Sequence, residues 1–418
     1  MKVELKFGEG VVTGDINKEN ILMEVGPKTA KGLENPLEAV EKALENPIGT
    51  GAIYEIVKEK KPQKVVLVVN DVTRPTPYKY MLPPLMKELE GAGLKDDQIT
   101  LMVATGIHRA NTDQENRQTL TSEIVDRYRV VSHNPDENLV SLGKMSDGTE
   151  LSINREVAEA DMVITTGLIG LHYFAGYSGG RKSILPGVAA RELITANHAM
   201  MTDPRAATGS YKENPVHWIM LEAARMAGVD FILNVVTNAD KEIVSVVAGD
   251  VEEAWLEGVR FCEETSVVKL AQQADVVIAG AGGHPKDINL YQAQKALENA
   301  ASAVRPGGTI ILVSKCGEGY GEDVFEKWIK EAKVLQDIFD RFDRHFILGG
   351  HKAFAIARVL KEKDVILVSD MSRDDVEQLF FSYAGSLQEA LDRVKEKYKG
   401  DFTAFIMPQA SLVLPEVE

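Results

Sequence analysis

The chain has 418 residues, 44% of them hydrophobic and 26% charged, with a formal net charge of −16. That length allows two or three domains with real cores, and that charge repels a phosphate backbone, so no nucleic-acid partner is expected. The two distant cysteines, Cys262 and Cys316, argue against a thiolate metal site or a disulfide framework, no apolar run reaches membrane-spanning length, and the expected location is the cytoplasm.

The opening residues, MKVELKFGEG, alternate apolar and polar like a strand. Short β-branched runs then recur, each closed by a polar or glycine-rich turn: KVVLVVND at 64–71, TLMVATG at 100–106, DMVITTG at 161–167 and FILNVVTN at 231–238. Four more follow, ADVVIAGAGG at 274–283, GTIILVS at 308–314, DVILVSD at 364–370 and DFTAFIMP at 401–408. Helical patterns such as YMLPPLMKELEGAG, ARELITANHAM, NPVHWIMLEAARMAG and LYQAQKALENAASAV lie between them. This alternation predicts an α/β fold with mostly parallel sheets, their strands buried on both faces. VVKLAQQ is taken to end a helix, so the predicted division is an amino-terminal α/β domain over 1–270 and a smaller carboxyl-terminal α/β domain over 271–418.

Ligands of open parallel sheets sit beyond the carboxyl ends of the strands. The unusual residues fall there, in NDVTRPTP, TGIHR, TGLIGLHYF and GAGGHPKD, which predicts an active-site cleft between the two domains. Histidine can take and return a proton near neutral pH, which makes His108, His172 and His198 candidates. The planar fork of Arg74 suits a carboxylate, and Asp71 could orient that fork or hydrogen-bond a histidine. Gln292 and Lys295 share a helix face beside Tyr291, where Lys295 could add a second cationic contact to an anionic substrate. In YSGGRK, Ser178, Gly179 and Gly180 could form an anion-binding nest. Lys182 beside them could be a phosphate contact, a Schiff-base former or an attachment point for a tethered cofactor.

NDVTRPTP, TGIHR, GLHYFAGYSGGRKSILPG, ITANHAM and HPKDINLYQAQK, in that order, resemble the nickel-dependent lactate racemase family over most of the chain. The resemblance implies a racemase or epimerase of a small 2-hydroxy acid that uses a nickel pincer nucleotide, pyridinium-3,5-bisthiocarboxylic acid mononucleotide nickel. It implies that Lys182 carries this cofactor covalently, that Ser178, Gly179 and Gly180 approach its phosphate, and that His198 ligates nickel. His108 and His172 become the paired acid/base residues, and Asp71, Arg74, Tyr291, Gln292 and Lys295 the substrate pocket. The reaction implied is reversible hydride transfer coupled to proton transfer, and enzymes that build the cofactor are implied as maturation partners. One departure bears on substrate choice: lactate-acting members can carry a tryptophan where this chain reads LGGHKAFAIARVL, and the nearest one here, Trp328, lies upstream. Two other readings compete, a nicotinamide-dependent oxidoreductase using the GAGG loop and a non-catalytic protein that binds a phosphorylated ligand.

Overall fold

The computed structural model describes every residue except Thr29, His345 and Leu348. The chain forms two compact units, one of Thr29–Thr265 and one of Met1–Lys28 with Ser266–Glu418. The first 28 residues, read from sequence as part of the amino-terminal domain, therefore lie in the other unit. The reason is strand pairing: Ile21–Glu24 aligns in parallel beside Ala404–Met407. Val3 and Leu5 of the opening hairpin are buried in that unit's core. Val267–Leu270 also differs from expectation: this β-branched segment is a strand paired with Leu414–Val417, not a helix end.

The larger unit is built on a six-stranded sheet. Its spatial order is Ile243–Gly249, Val229–Thr237, Met162–Ile169, Val65–Asn70, Ile99–Ala104 and Arg129–Ser132. All neighbours pair in parallel except the edge strand Ile243–Gly249, which folds back antiparallel. The five valines and leucines that open Val65–Asn70 are buried without interruption, as a strand covered on both faces requires. Successive strands run outward from Val65–Asn70 in one direction, then Met162–Ile169 joins on its other side. The order reverses between these two strands, and an open α/β sheet leaves a crevice at that place. The loops leaving both strands carry candidate residues.

The smaller unit has an all-parallel sheet ordered Ser382–Ala384, Asp364–Val368, Val304–Val313, Ala274–Gly280, Ala404–Met407 and Ile21–Glu24. Its order reverses beside Ala274–Gly280, whose outgoing loop leads into the helix Leu290–Ala303. Among the described residues, no helix is long and apolar enough to cross a membrane.

Three imidazoles of the larger unit titrate far from their ordinary range. Burial pushes His133 down to about 4 and His198 and His217 down to about 3. The unfolded chain takes up protons at these rings as pH falls through about 6.5, whereas the folded chain resists until about 4 to 3. Their contribution to stability is therefore full above pH 6.5 and declines as pH drops toward 4, by at most about 1.4 kcal/mol per ring per pH unit. Urea unfolding followed from pH 7 to pH 5 should show this decline, with roughly two to three protons taken up on unfolding near pH 5.5. An unfolding free energy that stays level across that interval would show these rings to be accessible.

Candidate functional site

The loop after Val65–Asn70 is held from below. The Asn70 N–H donates to the Tyr78 hydroxyl at 2.6 Å, and the Asn70 side-chain amide donates to Thr76 Oγ1 at 2.8 Å. Tyr78 in turn reaches Thr166 on the neighbouring strand at 3.0 Å. Asp71 is thereby fixed in a buried position, with Thr73 donating to Oδ1 at 2.7 Å and His108 Nδ1 lying 2.7 Å from Oδ2. Burial pushes this carboxyl up, but the hydrogen bonds from His108 and Thr73 and the nearby Arg74 charge outweigh it, so the group ionises below its ordinary value. A carboxylate only accepts, so His108 carries a proton on Nδ1, and in the neutral ring Nε2 presents the lone pair. Of the two roles the sequence allows Asp71, orienting the Arg74 fork or hydrogen-bonding a histidine, the structure shows the bond to His108. Arg74 is exposed on the same loop, and its charge acts on both Asp71 and Lys182.

The segment carrying His108 is tied to the segment carrying Lys182. The Gly106 N–H donates to the Gly187 carbonyl at 3.0 Å. Thr105 donates to the His133 carbonyl at 2.8 Å, and the His133 ring nitrogen Nε2 lies 2.9 Å from the Ala189 carbonyl.

After Met162–Ile169 the chain makes a small hairpin in which Leu171–His172 pairs with Gly176–Tyr177. Only glycine suits position 176: its φ is +73°, and a Cβ there would collide with the Ser210 carbonyl. His172 Nδ1 accepts from the Ala175 N–H at 3.3 Å, which leaves the ring proton of neutral His172 on Nε2. The buried Phe174 ring is the common neighbour of the site. It meets the His172 ring edge-on at 4.6 Å and the His198 ring at 4.9 Å, and Lys182 Nζ lies 5.6 Å from its centre.

Lys182 lies in the short turn Gly180–Ser183. Burial pushes its amine well below the ordinary lysine value, and the positive charges of Arg74 and Arg181 act in the same direction. The amine is therefore poised to lose its proton and act as a nucleophile. His198 sits in the last turn of Arg191–Ala199. Burial and the Lys182 charge lower its pKa to about 3, against the opposing Ile194 carbonyl, so its imidazole is neutral. Its Nδ1 is enclosed without a hydrogen bond of good geometry.

The nest expected of Ser178, Gly179 and Gly180 is largely spent inside the protein. The Ser178 N–H and hydroxyl donate to the carbonyls of Gly170 and Leu168, each at 2.8 Å. The Gly180 N–H donates to Asn234 Oδ1 at 2.9 Å. The two glycines serve close packing: a Cβ on Gly179 would lie 2.6 Å from Ile169, and one on Gly180 would lie 2.8 Å from Trp255. Phe174, Asn234 and Trp255 escaped the sequence reading, since Asn234 and Trp255 lie far along the chain and Phe174 reads as an ordinary apolar residue.

In the smaller unit Tyr291, Gln292 and Lys295 occupy the first turns of Leu290–Ala303, which Asn289 caps by accepting from the Gln292 N–H at 3.1 Å. Gln292 and Lys295 are exposed and 3.3 Å apart at their polar ends. Beneath them the buried Lys352 donates to Gln294 at 2.7 Å, and its Nζ lies 5.1 Å from the Tyr291 ring centre. The stretch expected to lack a tryptophan forms the helix Gly350–Leu360, and Trp328 packs directly on Gly350. The GAGG loop is closed by the opening hairpin. A Cβ on Gly283 would lie 2.9 Å from Lys6, and the His284 N–H donates to the Gly8 carbonyl at 3.0 Å.

Among the described residues, no group of three or more His, Cys, Asp or Glu side chains could hold a metal ion. An imidazole suits a divalent transition metal, and His198, neutral and with Nδ1 enclosed without a hydrogen-bond partner, could hold one beside the Lys182 amine.

The chain matches the lactate racemase N-terminal domain family over residues 7–209 and the lactate racemase C-terminal domain family over residues 269–414. It is 35% identical to the lactate racemase of Thermoanaerobacterium thermosaccharolyticum, over 99% of this chain and 98% of that one. It is also 35% identical to the lactate racemase of Lactiplantibacillus plantarum, over 94% of each. The apoprotein structure of the Thermoanaerobacterium enzyme superposes with a TM-score of 0.93 at 33% identity, covering all of both chains. A Thermotoga maritima protein shares the fold alone, with a TM-score of 0.64 at 20% identity over 92% of this chain and 98% of that one. The chain is therefore a member of the lactate racemase family, and an isomerase.

Proposed function

We propose that the protein interconverts the stereoisomers of a 2-hydroxy acid, lactate or a related acid, with a nickel pincer nucleotide carried on Lys182. The observation that carries this reading is the grouping of a poised lysine amine and a neutral imidazole around Phe174, next to His172 and on the same unit as the Asp71-oriented His108. When bound, such a nucleotide supplies an acceptor for the α-hydrogen together with its electron pair, which leaves a planar 2-oxo acid. Direct proton abstraction would instead place a carbanion beside a carboxylate, at high electrostatic cost.

Each residue then has a defined task. His198 offers the metal its imidazole nitrogen. Arg74 binds the substrate carboxylate through its planar fork. His108 takes the hydroxyl proton at Nε2, and Asp71 stabilises the imidazolium that results. His172 presents a proton at Nε2 for return to the oxygen. Two rings are required because the two stereoisomers direct their hydroxyls differently. Enzymes that build the nucleotide are the maturation partners. Two buried cysteines that form no disulfide fit the reducing cytoplasm as the place of action.

Racemisation in heavy water should yield product that keeps its original α-hydrogen. Incorporation of solvent deuterium at that carbon would instead establish a carbanion route. His108→Ala and His172→Ala should each slow racemisation at least about a hundredfold by polarimetry. Because the two stereoisomers of a racemase substrate have equal energy, kcat/KM must fall by the same factor in both directions. Ordinary turnover in either variant would end the two-imidazole scheme. Asp71→Asn should act on kcat more than on KM, because it leaves Arg74 in place while the His108 ring loses its orienting carboxylate. A change confined to KM would return Asp71 to the substrate pocket.

A further inference from the structure

Arg181 precedes Lys182 and is fully enclosed, with none of its surface exposed. Burial alone accounts for its lowered pKa of about 9, so it keeps its charge at neutral pH without a carboxylate acting on it. A buried cation without an ion-pair partner costs several kcal/mol unless its donors are satisfied in another way. Here the two terminal nitrogens of the guanidinium span three carbonyls of the segment that leads into Lys182, Ala175 at 2.9 Å, Gly179 at 3.3 Å and Ser178 at 3.5 Å, while Nε is enclosed without a partner. Its plane lies 3.9 Å over the Trp255 ring, and His217 stacks on the same indole at 4.9 Å. Trp255 adds its own hydrogen bond to the Ser178 carbonyl at 2.9 Å. Gly180 fits between them because it has no Cβ, and its N–H is held by Asn234.

These contacts leave the turn one orientation. The Arg181 side chain points inward to the indole, and the next side chain, Lys182, is directed to Phe174. A lysine at position 181 would carry its three donors on one atom, so it could not reproduce the spread of the two guanidinium nitrogens or the planar face over Trp255.

We propose that Arg181 is a positioning residue that fixes the Ala175–Gly180 backbone through its carbonyls and so aims the Lys182 amine for covalent bond formation. The proposal rests on the reading of Lys182 as the anchor, so its test must separate the two. The probe is phenyl thioacetate, applied to the unloaded chain at neutral pH. The lysine nitrogen attacks the thioester carbonyl, an N–C bond forms, the C–S bond breaks, thiophenolate leaves with the electron pair, and the nitrogen proton passes to solvent. Peptide mapping then reports acetylation at Lys182 relative to all other lysines in the same sample, and thermal melting reports the fold.

In the unaltered chain Lys182 should be acetylated ahead of the other lysines; equal labelling would overturn the anchor reading itself. In Arg181→Gln the Lys182 rate should fall about tenfold to a hundredfold while the other lysines keep theirs. Arg181→Lys should restore only part of it. Trp255→Phe keeps a ring beneath the guanidinium but removes the indole bond to Ser178. It should produce a smaller, selective loss, and it serves as the readout if the Arg181 variants fail to fold. With holoenzyme preparations, intact mass should show a lower fraction carrying the Lys182 adduct in each variant. Folded Arg181→Gln or Trp255→Phe protein that labels Lys182 at the unaltered rate would overturn the positioning role while leaving the anchor reading intact.

Discussion

Burial of basic groups without acidic partners is the constraint on which the site depends. In water a lysine beside two arginines would stay protonated and repel them weakly. Enclosed around Phe174, the same amine is pushed toward its neutral form, and His198 is held neutral by the same enclosure. Proteins pair most of their buried charges. Among the described residues, no carboxylate is among the groups that act on Lys182 or Arg181, which favours a neutral, nucleophilic amine. The buried carboxylate of Asp71 is engaged by His108 and Thr73.

The sheet supplies the assembly. Loops that leave the carboxyl ends of adjacent parallel strands open on the same edge, so residues distant in sequence become neighbours without any long-range design of the chain. Asp71 and Arg74 follow one strand beside the reversal of strand order, and His172 through Lys182 follow the other. The bond from Gly106 to Gly187 and the His133 bridge then join the third loop to the second. Few of these ties involve a residue that would touch a ligand, yet they set where the ligand-facing side chains point.

The parts of the fold that were legible in the sequence share a physical property. Val65–Asn70, Ile99–Ala104 and Ala274–Gly280 are buried on both faces, so their letters are almost wholly apolar and β-branched. Strands that sit at sheet edges or on the surface carry mixed letters and were missed. Ile21–Glu24 is mostly exposed, and Arg129–Ser132 is short and half-buried. Val267–Leu270 pairs outside the main sheets, which made a helix end look equally good. In the site, the loop motifs singled out His172, Lys182 and His198, which the structure groups around Phe174, and the glycines of YSGGRK, which it packs against Ile169 and Trp255. Glycine-rich turns before a lysine suit phosphate binding and tight packing alike, and only the indole of Trp255, far along the chain, distinguishes the two. Asp71 was legible as an acid in the right loop, while its choice of His108 over Arg74 required coordinates.

The placement of the first 28 residues has a consequence for how the chain matures. The strand Ile21–Glu24 is made on the ribosome long before its partner Ala404–Met407. The larger unit, continuous in sequence between them, can fold while synthesis proceeds. The strand Ile21–Glu24 lacks its sheet partner until Ala404–Met407 emerges. The smaller unit thus closes only when both of its segments exist, and an expressed fragment starting at Ser266 would lack one edge of its sheet and the Val3 and Leu5 side chains that cover its core.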